Sequence, residues 1–366
     1  MEYVENDLVR IAKRENNTKR KYLVVNPLQG KHIPVSPTAA LKLFSNLADL
    51  IRYEYVKEKT LLIGFAETAT AIGAQAAVSL GTKYIQTTRE IITDVEYLFF
   101  SEEHSHATEQ KLVKDDIDLA VENIENIVFI EDEVTTGKTI LNIIQILEKL
   151  YPGRLKFSVA SLLNGMSEEN LQMYEQRGIR LHYLLKTDHS QYSHIAGTYM
   201  GNGKYCGCNT KKGQDISVIS VPGRMDTRRL VDAVQYEKAC NDLWDAVAGM
   251  IGNLSRKKLL VVGTEEFMYP ALFIGRKLEE TGNAVLCHAT TRSPIAVSME
   301  NEYPLHSRYE LISLYDGQRR TFLYDIDGYD SVFIITDSPE RETIGLYTLV
   351  NALSAHNKNI TLIRWC

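Results

Sequence analysis

The sequence predicts an α/β fold: a mainly parallel sheet with helices on both faces, followed by a second unit of similar design. Three observations predict it. Short apolar runs of strand length alternate with helix-length apolar patterns. Polar, glycine-bearing segments follow those runs, where the carboxyl ends of parallel strands bind ligands. The stretch LLIGFAETATAIGAQAA (61–77) is echoed by LLVVGTEEFMYPALFIGRKLEE (259–280).

The elements follow in chain order. Residues 1–20 are polar and read as a loosely attached arm. YLVVNP (22–27) is a short strand. From Ser36 a proline-started helix lines up Leu41, Phe44, Leu47, Leu50 and Ile51. TLLIGFAET (60–68) is a buried strand leading into a loop, and ATAIGAQAAVSL (69–80) is a small-residue helix suited to close packing on a sheet. KYIQTTRE (83–90) is the next strand. VEYLFFSEEHSHATEQKLVK (95–114) starts apolar and ends charged, as a hairpin or long loop does. NIVFIED (126–132) is a third buried strand, TILNIIQILEKL (139–150) its helix, and LKFSVASLLNG (155–165) a fourth strand. AGTYMGNGKYCGCNTKKGQD (196–215) breaks the pattern; SVISVPGRMD (217–226) and a helix through Trp244 follow. The expected division is a first domain over 21–215, a connecting segment over 216–255 and a second domain over 256–366.

The chain has 366 residues, too many for one typical core. A net charge of −6 gives no general reason to expect nucleic acid. No apolar run is long enough to span a bilayer, and the N-terminus lacks a signal-peptide core. Five scattered cysteines fit a reducing cytoplasm better than a disulfide framework. Cys206 and Cys208 form a Cys-Gly-Cys. Zinc would need two further ligands such as His189 or His194, and the local sequence favours a plain loop.

The chemistry concentrates in IVFIEDEVTTGKTIL (127–141). A turn of glycine and small hydroxyl residues wraps an anion with backbone N–H groups, and the helix that follows adds its positive end. Two acids just before it suit the vicinal hydroxyls of a ribose, or a hydrated Mg²⁺ held through a sugar phosphate. A P-loop is excluded, because its first glycine would fall on Asp132.

VFIEDEVTTGKT resembles the phosphoribosyl pyrophosphate (PRPP) motif of type I phosphoribosyltransferases. That resemblance implies ribose binding by Glu131 and Asp132, and phosphate binding by Thr135, Thr136, Gly137, Lys138 and Thr139. Glu133 departs from the family's usual apolar residue. The family's pyrophosphate loop corresponds to GFAET, with Glu67 and Thr68, and its hood loop to SEEHSHATEQK (101–111). Thr135 stands where enzymes for 6-oxopurines commonly carry an Asp, so the orotate enzymes are the nearer pattern here. The whole chain resembles a narrower bacterial group whose C-terminal domain is named for a Thr-Arg-Ser-Pro motif. GTEEFMYPA and TTRSPI (290–295) carry that second part. The group is associated with tellurite-resistance gene clusters and, by implication, with making a nucleoside-like metabolite.

The resemblance implies a Rossmann-like fold and a cytoplasmic pentosyltransferase. Its partners would be PRPP with Mg²⁺ and a small-molecule acceptor, with neither nucleic acid nor membrane; a homodimer is compatible. Arg89 or Lys111 would stabilise the leaving pyrophosphate, and His104 or His106 would move a proton. Arg89 with Glu90 reads equally as a structural ion pair, and the EEHSH stretch as a solvated loop or, with Glu102, a metal-ligating one. Two other functions stay open: a non-catalytic PRPP or nucleotide sensor, and a hydrolase or lyase acting on a finished nucleotide.

The second half keeps Thr290, Thr291 and Arg292, a loop acid at Glu265 and a terminal Asp337, but has DSPERETIG in place of the phosphate turn. Arg292 and Ser293 are the residues to bind an anionic group there. The bland alternative is a rigid turn held by Pro294.

Overall fold

The computed structural model describes residues 3–15, 20–101, 109–339 and 342–366. The chain opens with α1 (Glu5–Leu8), β1 (Arg10–Lys13), β2 (Tyr22–Val25) and α2 (Pro37–Ile51). Next come β3 (Thr60–Gly64), α3 (Thr70–Leu80), β4 (Lys83–Gln86), β5 (Tyr97–Ser101), β6 (Glu109–Val113) and α4 (Lys114–Val121). They lead to β7 (Asn126–Val134), α5 (Lys138–Leu150), β8 (Lys156–Asn164), α6 (Glu168–Gln176), β9 (Arg180–Lys186) and α7 (Tyr192–Thr198). Then follow β10 (Lys204–Cys206), β11 (Ser217–Val221), β12 (Val231–Asp232), α8 (Ala233–Ile251), β13 (Lys258–Gly263), α9 (Tyr269–Glu280) and β14 (Ala284–Ala289). The chain closes with β15 (Ser307–Ile312), β16 (Arg320–Tyr324), β17 (Ser331–Thr336), α10 (Ile344–Ser354) and β18 (Ile360–Trp365).

Two compact units result, and neither is continuous in sequence. Unit 1 contains Leu41–Asp188 and Met225–Lys238; unit 2 contains Val4–Ala40, His189–Arg224 and Ala239–Cys366. Residues 4–15 of the polar N-terminal stretch belong to unit 2. There β1 pairs with β2, and Leu8 and Ala12 are fully buried.

In unit 1 the sheet order is β12-β4-β3-β7-β8-β9, parallel except where β12 meets β4. Every residue of β3 is buried, and so are Ile127 to Ile130 of β7, as strands covered on both faces require. Helix α3 comes close because its residues are small. A Cβ on Gly73 would lie 2.7 Å from the Tyr84 ring, whose hydroxyl donates to the Thr70 carbonyl at 2.7 Å. Helix α5 buries Ile140, Leu141, Ile143, Ile144 and Leu147, the stripe that the 3.6-residue period predicts.

In unit 2 the order is β14-β13-β17-β18-β11, parallel throughout. The run β14-β13-β17-β18 repeats β4-β3-β7-β8, and each central strand ends on a glycine: Gly64 beside Ile130, Gly263 beside Ile335. The repeat extends to single bonds. Thr87 N–H donates to the Gly64 carbonyl at 2.9 Å, and Thr290 N–H to the Gly263 carbonyl at 3.1 Å. Helix α10 packs Leu346, Leu349 and Leu353 with Val332, Ile334 and Leu362. Among the described residues no helix is long and apolar enough to cross a membrane.

Candidate active site

The carboxyl ends of β3, β4 and β7 collect most of the residues singled out in the first half. After β3 the chain turns through Phe65, Ala66, Glu67 and Thr68; the Ala66–Glu67 peptide is cis, and Glu67 is buried. Ala66 N–H donates to Thr87 Oγ1 at 2.8 Å. The Thr87 hydroxyl donates to Gln110 Oε1 at 2.6 Å, and Gln110 Nε2 returns to the Ala66 carbonyl at 2.5 Å. After β4, Thr88 exchanges both backbone hydrogen bonds with Lys111 of β6, at 2.8 and 3.0 Å. This bridge puts Arg89 next to the strand that carries Lys111, whose Nζ lies 5.7 Å from the Tyr97 ring centre. Within the 95–114 stretch, β5 and β6 pair antiparallel, Tyr97 facing Val113 and Phe99 facing Lys111. His104 and His106 fall outside the described residues.

At the end of β7, Glu131, Asp132 and Glu133 are half-buried. The Asp132 N–H donates to Glu131 Oε2 at 3.0 Å. Burial raises the Asp132 carboxyl above its ordinary value and the Glu133 charge adds to the rise; hydrogen bonds with Glu131 and Thr68 oppose it. The bond to Thr68 joins the acid pair to the loop after β3. Carboxylates here are hard oxygen donors, so Glu131 and Asp132 suit Mg²⁺ arriving with a phosphate ester. Among the described residues no group of three or more His, Cys, Asp or Glu side chains converges to hold a metal, and Cys206 and Cys208 are free thiols.

The turn after β7 depends on Gly137. Its φ of 72° lies in the left-handed region, and it caps α5. Its carbonyl accepts from Leu141 N–H at 3.0 Å and from the Tyr174 hydroxyl at 2.7 Å. Tyr174 of α6 is fully buried behind the turn. A Cβ on Gly137 would stand 2.3 Å from the Tyr174 oxygen and 2.6 Å from Met166 Cε. Left-handed strain and overpacking together put Gly137→Ala about 2–4 kcal/mol below wild type. Chemical denaturation measures this, and an unchanged midpoint would show that the turn relaxes around the methyl group. Thr135, Thr136 and Thr139 surround this glycine and are half-exposed, and Lys138 is exposed.

Unit 2 uses the equivalent positions differently. Glu265 N–H donates to Thr290 Oγ1 at 3.0 Å, repeating the Ala66–Thr87 bond, but Glu265 has a φ of 49° and is 1% exposed. Its carboxylate accepts from Arg292 Nε at 2.7 Å, from Arg319 Nη1 at 2.9 Å and from the Ser313 hydroxyl. Arg292 Nη2 also reaches Glu266 at 3.4 Å. Buried Lys31 donates to the carbonyls of Glu265 and Thr290 at 2.7 and 3.1 Å. Asp337 is held by Arg224 at 2.8 Å and by the Tyr315 hydroxyl at 2.7 Å. The Ser293 N–H donates to Thr291 Oγ1 at 3.3 Å, and its carbonyl accepts from the Tyr324 hydroxyl at 2.7 Å. Here the chain supplies carboxylates of its own to the arginine singled out as an anion binder.

Sequence reasoning missed Gln110 and Tyr174 in unit 1, and Lys31, Arg224, Ser313 and Arg319 in unit 2. A lone polar residue inside a charged strand gives no local signal, and neither does an arginine 113 positions from its acid.

A family model described as phosphoribosyl transferase matches residues 8–190, half of the chain. A model described as the TRSP domain C-terminal to that family matches residues 227–353. No curated protein matches significantly. Solved structures that it resembles include adenine phosphoribosyltransferase from Rhodothermus marinus, at 14% identity over 50% of this chain and 96% of that one, with a TM-score of 0.37. The Trypanosoma brucei adenine enzyme, in complex with AMP, pyrophosphate and ribose-5-phosphate, is 16% identical over 50% of this chain and 77% of that one, with a TM-score of 0.37. Orotate phosphoribosyltransferase from Aeropyrum pernix is 14% identical over 53% of this chain and 94% of that one, with a TM-score of 0.33. The family matches, together with the acid pair, glycine turn and helix start at the end of β7, make this chain a member of the phosphoribosyl transferase family, a pentosyltransferase by type, with a TRSP domain after its transferase domain.

Proposed function

We propose that unit 1 transfers ribose 5-phosphate from PRPP to a nitrogen of a small-molecule acceptor, releasing pyrophosphate. The C1–oxygen bond to pyrophosphate breaks, a C1–nitrogen bond forms, and the nitrogen's proton is lost to a base. One observation carries this reading: the acid pair Glu131 and Asp132 lies directly before the Gly137 turn and is hydrogen-bonded through Thr68 to the loop after β3. A ribose 5-phosphate laid on this edge presents its hydroxyls to the acids and its phosphate to the N–H groups that open α5. Its C1 pyrophosphate then faces the loop of Glu67 and Thr68, with Arg89 and Lys111 as the cations for the departing charge. Mg²⁺, when bound with PRPP, neutralises part of that charge. The protein's part is orientation, which turns two bound reactants into a near-unimolecular encounter.

Calorimetric titration with Mg²⁺ and PRPP, followed by a pyrophosphate-release assay over nitrogen heterocycles, tests this reading. No binding at millimolar PRPP removes the transferase assignment. Binding without release for any acceptor turns it into a regulatory one.

Asp132 adds a pH dependence with two opposite signs. Its raised carboxyl keeps its proton to higher pH in the folded chain than in the unfolded one. It therefore contributes stability below the ordinary aspartate value, about pH 4, and that contribution is lost as pH rises through the folded value. PRPP binding runs the other way, because the carboxylate accepts hydrogen bonds from the ribose hydroxyls on both oxygens, whereas the protonated acid turns one oxygen into a donor. Affinity is expected to fall as pH drops through the raised value, and Asp132→Asn to flatten that fall. Parallel titrations of wild type and variant from pH 4 to 8 decide it; identical slopes would remove Asp132 from the ribose site.

A further inference from the structure

We infer that Gln110 is the positioning residue for the pyrophosphate end of this site, a role that rests on the transferase reading above. Its side chain is 1% exposed and lies between two functional segments. Oε1 accepts from the Thr87 hydroxyl, and Nε2 donates to the Ala66 carbonyl. Thr87 Oγ1 already accepts the Ala66 N–H, so its proton is directed to Gln110, and the amide has one consistent orientation. Both polar groups of Ala66 are thus satisfied by side chains, immediately before Glu67 and Thr68. Gln110 also neighbours Lys111, whose backbone is bridged to Thr88 beside Arg89. One buried amide therefore ties together the loop after β3, the end of β4 and the strand β6. In such surroundings a satisfied polar ring is stiff, and an unsatisfied one is costly.

Unit 2 supplies the contrast. Its loop repeats the bond from Glu265 N–H to Thr290 Oγ1. The residue preceding the bridged Phe322 is Thr321, too short to span as Gln110 does, and the Glu265 carboxylate goes to Ser313 and the arginines instead. The amide ring occurs in the unit that carries the glycine turn.

The test is to titrate the full chain separately with Mg²⁺-pyrophosphate and with ribose 5-phosphate. Gln110→Met removes both ends of the amide. Gln110→Glu keeps the acceptor for Thr87 and replaces the donor to Ala66 with an oxygen. Thr87→Ser keeps the hydroxyl and serves as the conservative variant. In both Gln110 variants pyrophosphate affinity is expected to fall about tenfold, the scale of one lost buried hydrogen bond, while ribose 5-phosphate stays within about twofold. Thr87→Ser is expected to match wild type for both ligands. Equal loss for the two ligands marks general loosening and overturns the inference, as does no loss for either. Wild-type protein that binds neither ligand removes the transferase reading, and this inference with it.

Discussion

Glu131→Gln combined with Asp132→Asn is expected to abolish measurable PRPP binding while leaving the fold intact. A hydrogen bond to a charged group contributes about 1.5–3 kcal/mol, so losing two costs about 3–6 kcal/mol, or two to four orders of magnitude in affinity. The amides keep the shape of the acids but bring N–H groups to positions that must accept from sugar hydroxyls. Stability should not fall. Asp132 is a carboxylate whose charge is opposed by burial and by Glu133, and a neutral Asn at that point relieves both. Calorimetry with PRPP reads the affinity, and a denaturation curve shows that the protein is folded. Retained affinity in a folded double variant would place the sugar elsewhere and leave the end of β7 as ordinary strand-end chemistry.

This motif was legible because its parts are local. A buried parallel strand must be a continuous apolar run, and a phosphate turn must be small, hydroxylated and glycine-bearing. Both demands fall within fifteen residues of chain, 127–141. The strands β3, β7 and β8 were readable for the same reason. The internal echo was also readable, since two copies of one strand order place similar residues at similar intervals. What escaped was everything assembled from afar. Gln110 reads as one more polar residue between a Glu and a Lys until β6 brings it to the β3 loop. Tyr174 reads as a helix residue until α6 places its hydroxyl on the carbonyl of Gly137, 37 positions earlier. The division into units escaped too. Val4–Ala40 and His189–Arg224 join a unit whose main body begins at Ala239, and no local composition marks that return.

The two units share one strand order, with a glycine turn after β7 in unit 1. Gly64 and Gly263 end equivalent strands, and Thr87 and Thr290 make the same bonds after them. Asp132 sits two residues past Ile130, and Asp337 two residues past Ile335, which face those glycines. In unit 1 the acid has no arginine among these partners: it bonds with Glu131 and Thr68, and burial raises its carboxyl. In unit 2 the equivalent acid is committed, with Arg224 on one oxygen and the Tyr315 hydroxyl on the other. The divergence therefore lies in which partners the loops deliver to a conserved geometry of strand ends.

Glu265 is where that commitment is greatest, and Glu265→Gln is expected to destabilise the protein by about 2–4 kcal/mol. Breaking one side of a buried ion pair costs about 3–5 kcal/mol, because the partner's charge is left without compensation. The lower figure applies here because Arg319 keeps 20% of its side chain exposed, which lets water screen part of its charge. Arg292, at 11%, has less relief and keeps only its 3.4 Å contact with Glu266 among the carboxylate contacts described above. Glutamine also carries an N–H group into a site where Ser313, Arg292 and Arg319 all donate, so one donor faces another. The backbone adds to the cost. Glu265 is a non-glycine residue at a φ of 49°, and Lys31 holds its carbonyl in that strained turn. Loosening the side chain removes part of what holds the turn in place. Denaturant unfolding of wild type, Glu265→Gln and the pair Glu265→Gln with Arg319→Met measures this. If the ion pair is the cause, the second change should recover part of the loss, since it removes the charge that has lost its 2.9 Å carboxylate contact. A Glu265→Gln variant as stable as wild type would show that the arginines turn out to solvent without cost, and that the strand end of unit 2 is not held by this network.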